Sequence, residues 1–134
     1  MAGHDLAGVY TLRTIDDADR IRASAQTART ALVVGGSFMG CELAAALAEL
    51  GLQVTMVFPE QHLLQIVGPE ALNLHLEGLY AQRGIRVLSG TKPVALTGAD
   101  GQVRGANLES GQILAADLVV LGVGAVLNTA LASE

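Results

Sequence analysis

Apolar residues recur along the middle of the chain with two alternating periods, first that of a buried strand and then that of a helix. Residues 31–34 are apolar without alternation and are bounded by turn formers, so they predict a buried strand. Between residues 38 and 50 the apolar positions share one helical face, and Gly51 ends this predicted helix. Residues 53–58 and 85–88 predict two more strands.

A second predicted helix joins the last two of these strands. It begins at Pro69 and Glu70, with proline at the first helical position, and it ends at Arg83 and Gly84. The residues predicted to form its apolar face are Leu72, Leu76, Leu79 and Tyr80. The order strand, helix, strand, helix, strand predicts a parallel sheet with right-handed crossovers.

The segment before these elements is predicted to lead into the sheet through a helix. Residues 9–12 resemble a short strand, and Thr14 is the predicted N-cap of a helix over residues 15–29. Asp16 and Arg20 are spaced to pair as i and i+4 on its charged face.

After residue 91 the helical period disappears. Short strand candidates are separated by Asp-Gly and Ser-Gly pairs, which are strong turn signals and predict an antiparallel meander. These candidates are residues 93–97, 103–108 and 113–114. We expect the meander to replace a crossover helix and to cover one face of the parallel sheet.

Together these elements predict a single α/β domain of the Rossmann type, with three layers. Residues 1–30 form the lead-in and first helix, and residues 31–91 form the βαβαβ parallel sheet. Residues 92–115 form the antiparallel meander before the last strand, and residues 116–134 contain that last strand, predicted over 116–124, and a tail.

A glycine-rich turn joins the first buried strand to its helix and is the main candidate for chemistry. A phosphate loop of the NTPase type continues with Lys and then Ser or Thr, whereas Cys41 and Glu42 follow Gly40 here. A nucleophile elbow needs glycine two residues either side of Ser37, and one of those positions is not glycine. The dinucleotide fingerprint G-x-G-x-x-G fits at Gly35 and Gly40, with Ser37 in place of its middle glycine.

Composition excludes several classes of protein. With 8 basic and 13 acidic residues the net charge is −5, and the scattered basic residues argue against nucleic acid or an anionic membrane as a partner. Cys41 is the single cysteine, so a disulfide framework is excluded, and the expected role of Cys41 is that of a small, partly buried helix residue. No signal peptide or membrane-spanning run is recognisable, so we expect a cytoplasmic location. The three histidines lack metal-ligand spacing, and we expect no metal site.

An acidic residue follows the second strand of the βαβαβ unit. Glu60 lies 20 residues after Gly40, which suits a carboxylate that accepts hydrogen bonds from the adenosine ribose and repels a 2′-phosphate. The sequence therefore favours NAD over NADP.

Four longer strings resemble one known family. They are VYTLRTIDDADRI, VVGGSFMGCELAAALAELGLQVTMVFPE, LESGQILAADLVVLGVG and the following AVLN, and they are spread along the chain from residue 9 to residue 128. They resemble the NAD-binding domain of FAD-dependent pyridine nucleotide-disulfide oxidoreductases, in the apoptosis-inducing-factor-like and ferredoxin-reductase-like branch. The resemblance implies that this domain works beside an FAD-binding domain, and we expect the chain to be an excised domain or a truncated protein.

The resemblance also implies roles for single residues. The turn from Gly36 to Met39 would hold the pyrophosphate and approach the nicotinamide, with Phe38 against the nicotinamide ring. Glu42 would lie near the nicotinamide, although a favourable acid in the first helical turn is an equally sufficient interpretation. For Phe38 the alternative is an ordinary core aromatic.

Further implied contacts lie elsewhere in the chain. Glu60 would bind the ribose, the backbone of Gly124 would lie near the cofactor, and Arg13 would reach the FAD of the complete enzyme. The family often has a basic residue after the ribose acid, where this chain has Gln61, Gln65 and Ile66, and it has proline where Leu127 stands here.

The resemblance implies that NADH passes hydride to FAD and that electrons leave for a ferredoxin or Rieske-type partner. The chain alone would bind NAD(H) without FAD and would not be catalytic, since no set of nucleophile, base and orienting group is recognisable. The alternative is a non-catalytic nucleotide-binding or interaction module that has lost redox function.

Overall fold

A computed structural model describes residues 1–124 and 128–130 of the chain. Its helices are α1 (Ile15–Ala25), α2 (Phe38–Glu49) and α3 (Glu70–Gln82). The strands of its larger, parallel sheet are β1 (Val9–Tyr10), β2 (Thr30–Val34), β3 (Gln53–Val57), β4 (Arg86–Leu88) and β8 (Leu118–Leu121), in the spatial order β1-β8-β2-β3-β4. The strands of the smaller, antiparallel sheet are β5 (Pro93–Ala99), β6 (Gln102–Leu108) and β7 (Ile113–Ala115). The predicted α/β Rossmann-type fold with a meander before the last strand is confirmed.

The parallel sheet is the middle of three layers. In β2, Ala31 and Val33 pack into a core shared with α1 and α2, while Leu32 and Val34 pack into a second core shared with the meander. Successive side chains of a strand point to opposite faces, so a strand covered on both faces is apolar at every position. This explains why residues 31–34 show no alternation.

The meander covers the second face of the sheet, as predicted. Asp100 and Gly101 connect β5 to β6 with φ of 53° and 75°. Two positive φ values in a two-residue loop are those of a type I′ hairpin turn, whose twist matches that of the strands. Val103, Ala106 and Leu108 of β6 are buried against the parallel sheet.

Helix α1 is shorter than predicted and pairs differently. It ends at Ala25 rather than near residue 29, because Gln26, Thr27 and Ala28 turn back onto the carbonyls of Ala23 and Ser24. Thr14 is the N-cap, as predicted, and it forms a reciprocal capping box with Asp17. Arg20 pairs with Asp17 rather than with Asp16. Hydrogen bonds from the backbone and hydroxyl of Thr14 lower the pKa of Asp17 to about 2.

Helix α3 also departs from the prediction. Pro69 is its N-cap, with ψ of 152°, and not its first helical residue. Leu72, predicted on the buried face, is 45% exposed, whereas Asn73 is only 2% exposed. Leu76, Leu79 and Tyr80 are half-buried. The first turn of the helix therefore places Asn73, rather than the predicted Leu72, inward and next to the preceding loop.

Other strand limits differ by a few residues. The last strand covers only Leu118–Leu121 of the predicted 116–124. It begins after Asp117, whose carboxylate accepts hydrogen bonds from the N–H groups of Arg29 and Thr30 at the start of β2, and it ends before Gly124, which has φ of 103°. No helix in the described part of the chain is long and apolar enough to cross a membrane.

Candidate functional site

The predicted site residues follow the carboxyl ends of neighbouring parallel strands. The glycine turn follows β2, Glu60 follows β3, and Gly124 follows β8, which lies on the other side of β2. Arg13 follows β1, which pairs with β8. Ligands of open α/β sheets bind at this edge, outside the carboxyl ends of the strands. The topology therefore brings these residues to one edge.

The glycine turn, residues 35–40, is packed too closely for side chains at three positions. Gly35 has φ of 126°, and a Cβ there would lie 2.3 Å from the carbonyl oxygen of Gly122. A Cβ on Gly40 would lie 2.1 Å from the carbonyl oxygen of Gly35, and one on Gly36 would lie 2.7 Å from the ring of Phe58. Only glycine fits at these three positions, and together with Gly122 they form a cradle in which the chain packs directly on neighbouring atoms.

Gly122 is a functional candidate that the sequence analysis missed. Its N–H donates to the carbonyl of Val34 at 2.7 Å, and its own carbonyl faces Gly35. The signal was available, since Gly122 and Gly124 both follow the last apolar strand, but only Gly124 was selected. The structure shows that Gly122 is the one that contacts the glycine turn.

Ser37 does not need to be glycine in this geometry. It is the N-cap of α2, with φ of −89° and ψ of −178°, an extended conformation that any residue adopts. Its side chain forms no capping hydrogen bond and is exposed. The first N–H groups of α2 have no partners within the helix, and together with the helix dipole they favour an anion at this point.

The next residues divide between the surface and the core. Phe38 is 59% exposed, so the interpretation as a core aromatic is wrong. Met39 is half-buried and packs on the core beneath the helices. Glu42 is exposed and lies in the second turn of α2, so it is not the first-turn acid that was considered.

Glu60 is exposed, and its backbone is held by its neighbours. Its carbonyl accepts a hydrogen bond of 2.9 Å from the N–H of Gly90. The same loop returns to the glycine turn, where Leu64 donates its N–H to the carbonyl of Gly36 at 2.9 Å. The loop that carries Glu60 is therefore joined to the glycine turn by a backbone hydrogen bond.

Arg13 and Gly124 lie at the margins of this edge. Arg13 is exposed, and its backbone N–H donates to the carboxylate of Asp17 at 3.0 Å. Gly124 is exposed with positive φ, and a Cβ there would meet no atom of the described residues within 4 Å. Leu127, which stands where the family has proline, is outside the described residues.

A buried contact behind the site ties α3 to α2. The hydroxyl of Tyr80 donates to the carbonyl of Cys41 at 2.9 Å, and burial raises the pKa of Tyr80 to about 12. Cys41 is 6% exposed, more deeply buried than the partial burial expected, and burial also raises the pKa of its thiol. The contact with Tyr80 holds the first part of α2 against α3.

Histidine and acidic residues do not assemble into a metal centre in the part of the chain that the structure describes. His62 comes nearest to such a cluster. Its Nδ1 lies 3.3 Å from a carboxylate oxygen of Glu77, and its Nε2 lies 3.7 Å from one of Glu70. These contacts hold the loop after β3 against α3.

Comparisons with known proteins agree with this architecture. Residues 2–134 match the family described as pyridine nucleotide-disulphide oxidoreductase. The chain is 40% identical over 126 residues to a chloroplastic/mitochondrial monodehydroascorbate reductase of Arabidopsis thaliana, covering 93% of this chain and 25% of that protein. It resembles the ferredoxin reductase for the CYP199A2 system of Rhodopseudomonas palustris with a TM-score of 0.94 and 28% identity, covering 99% of this chain and 33% of that one.

A second solved structure is similar to the same degree. It is a covalent putidaredoxin reductase–putidaredoxin complex, with a TM-score of 0.91 and 28% identity over 97% of this chain and 32% of that one. This chain belongs to the pyridine nucleotide-disulphide oxidoreductase family. It spans a quarter to a third of the length of these relatives.

Proposed function

We propose that this chain is the NAD(H)-binding unit of an FAD-dependent oxidoreductase, with residues 1–134 acting as one domain. The observation that carries the proposal is the cradle formed by Gly35, Gly40 and Gly122, which shares a strand edge with Glu60. A dinucleotide needs a phosphate site and a ribose site on neighbouring strands. The bare backbone of the cradle fits its pyrophosphate.

The phosphates are held by the start of α2. The unpaired N–H groups there donate to phosphate oxygens, and the helix dipole stabilises their negative charge. The hydroxyl of Ser37 makes no capping bond within the chain and is available as an additional donor. Ser37 therefore preserves the phosphate site in this proposal.

The adenosine end selects NADH over NADPH. The carboxylate of Glu60 accepts hydrogen bonds from the ribose hydroxyls and repels a 2′-phosphate. Gln61 and Gln65, which follow it, carry no positive charge to offset that repulsion.

The nicotinamide end extends past Phe38. The exposed ring of Phe38 offers an apolar surface for the nicotinamide ring. In this proposal Met39, Glu42 and the backbone of Gly124 are the other residues that meet the nicotinamide end. When bound, the dinucleotide supplies a hydride that the FAD of the complete protein accepts. Arg13 extends from the neighbouring strand end toward that flavin. The chain contributes binding and orientation, and it is not catalytic by itself.

The proposed redox partner of the complete protein is a ferredoxin or Rieske-type electron acceptor. Two similar solved structures, a ferredoxin reductase and a complex of a reductase with putidaredoxin, support the ferredoxin-type acceptor. The monodehydroascorbate reductases, at 36–40% identity, support monodehydroascorbate as a second candidate. Reduction of each acceptor by the complete protein with NADH distinguishes the two.

The location is proposed to be the cytoplasm. A cytosolic monodehydroascorbate reductase of Oryza sativa, 38% identical over 125 residues, supports this. Fractionation of cells that express the complete protein tests it, and recovery of the protein with an organelle would contradict it.

Titration of NADH into the purified chain tests the nucleotide site. We expect saturable binding, and we expect Glu60→Lys to weaken it by about tenfold or more, because hydrogen bonds to a charged group contribute about 1.5–3 kcal/mol. Glu49→Lys is the matched control, since it makes the same charge change at the far end of α2. No binding at millimolar NADH would contradict the proposal and would favour a module that has lost the nucleotide.

A further inference from the structure

The two parts of the proposed nucleotide site belong to different segments of the chain. The glycine turn lies between β2 and α2, whereas Glu60 lies between β3 and α3. A single dinucleotide reaches both only if their separation is correct, because a hydrogen bond is lost when its donor and acceptor lie about 1 Å too far apart. A contact between the two segments must therefore set this separation.

The ring of Phe58 lies directly against Gly36. A Cβ on Gly36 would be 2.7 Å from Cγ and 2.9 Å from each Cδ atom of that ring. Gly36 is not among the glycines with positive φ, so its backbone conformation does not itself demand glycine. The ring alone excludes a side chain at residue 36.

Phe58 is held firmly in this position. Its side chain is fully buried, its N–H donates to the carbonyl of Leu88 at 3.2 Å, and its carbonyl accepts from Thr91 at 3.1 Å. The ring therefore moves only with the end of β3. It has no surface through which to touch a ligand.

A second link runs from the same glycine to the far side of Glu60. The carbonyl of Gly36 accepts a hydrogen bond of 2.9 Å from Leu64, which has φ of 53°. A left-handed backbone at a residue other than glycine is strained and persists only where its surroundings impose it. Glu60 thus lies between two anchors, Phe58 and Leu64, that both rest on Gly36.

We propose that Phe58 is a positioning residue for the dinucleotide, and that its ring, seated against Gly36, sets the distance between the glycine turn and Glu60. The inference rests on the proposed function and adds a determinant that does not contact the nucleotide. A smaller side chain at residue 58 lets the turn settle toward β3, and a methyl group on Gly36 pushes it away. Both changes misplace the phosphates relative to Glu60.

Titrations of NADH into four forms of the whole chain test this steric link. The forms are the unchanged protein, Gly36→Ala, Phe58→Ala and the double variant. We expect Gly36→Ala to weaken NADH binding by about tenfold or more and Phe58→Ala by a smaller factor. The double variant is expected to bind more tightly than Gly36→Ala alone, because alanine at residue 58 lacks the Cγ and Cδ atoms that the new methyl group would meet.

A second cycle separates positioning from general loss of stability. In the background of Glu60→Gln, Phe58→Ala is expected to weaken NADH binding by a smaller factor than in the unchanged protein. Leu108→Ala, which truncates a buried side chain of the meander, is the core control and should lower stability without changing NADH affinity. If Phe58→Ala does not fold, Phe58→Met, whose unbranched side chain can turn away from residue 36, takes its place in both cycles.

The outcomes separate the two proposals. Additive effects in either cycle overturn the positioning role of Phe58 while leaving NADH binding intact. Failure of the unchanged chain to bind NADH overturns the proposed function itself, and the positioning role falls with it.

Discussion

Adding one methyl group at Gly40 is a sharp test of the phosphate cradle. In Gly40→Ala the new Cβ would lie 2.1 Å from the carbonyl oxygen of Gly35 and 3.0 Å from its carbonyl carbon. The atoms it meets are backbone, so no side chain can rotate away. The first turn of α2 and the residue Gly35 must move apart by about 1 Å to restore an ordinary contact.

The effect on stability is smaller than the effect on binding. Overpacking costs about 1–3 kcal/mol, while alanine is better than glycine inside a helix by about 1 kcal/mol. The net loss in the free energy of unfolding is therefore about 0–2 kcal/mol, and the variant still folds. A displacement of about 1 Å in the cradle is enough to lose a hydrogen bond to a phosphate, and because such a bond to a charged group contributes about 1.5–3 kcal/mol, NADH binding is expected to weaken by about tenfold to a hundredfold.

Gly78→Ala is the matched control, since Gly78 also lies within a helix but a Cβ there would meet no atom within 4 Å. We expect it to raise stability by about 1 kcal/mol and to leave NADH affinity unchanged. Urea denaturation followed by circular dichroism measures stability, and NADH fluorescence measures affinity. The cradle is not the phosphate site if Gly40→Ala binds NADH as tightly as the unchanged chain, or if Gly78→Ala weakens NADH binding by the same factor as Gly40→Ala.

Three other changes have defined outcomes. Asn73→Leu replaces a buried side chain whose Oδ1 has no hydrogen-bond partner among the described residues, and it should raise the free energy of unfolding by about 1 kcal/mol in urea denaturation. A loss of stability would show that the amide is hydrogen-bonded in solution. Phe38→Ala should change the free energy of unfolding by less than about 0.5 kcal/mol, because the ring is 59% exposed, and a larger loss would mean that the ring is packed. Hydrogen bonds from Arg29 and Thr30 lower the pKa of Asp117, so its ionised form stabilises the fold above the ordinary carboxyl pKa, and this contribution is lost as the pH falls through the lowered value. Asp117→Asn should therefore flatten the acid side of the curve of stability against pH, and an unchanged curve would contradict this origin.

Local pattern was enough to identify most elements of the fold. The apolar run of β2, the glycine turn and the helix after it are coded by neighbouring residues, because periodicity and turn chemistry act over a few positions. The turn at Asp100 and Gly101 was predicted for the same reason, since a two-residue hairpin loop needs residues that tolerate positive φ. The prediction for the first turn of helix α3 was wrong, because the spacing of Leu72 is that of a buried face whereas the residue buried there, Asn73, is polar.

The sequence by itself determined the class of fold, the place of the glycine turn and the acid after β3, since each depends on residues close together in the chain. The tertiary structure decided which of these residues meet. It brought Gly122 against Gly35 across 87 residues, left Phe38 exposed, and seated Phe58 beneath Gly36. Such contacts depend on how strands pair and layers pack, and the local spacing of residues does not indicate which atoms from distant parts of the chain will lie within a few ångströms of each other.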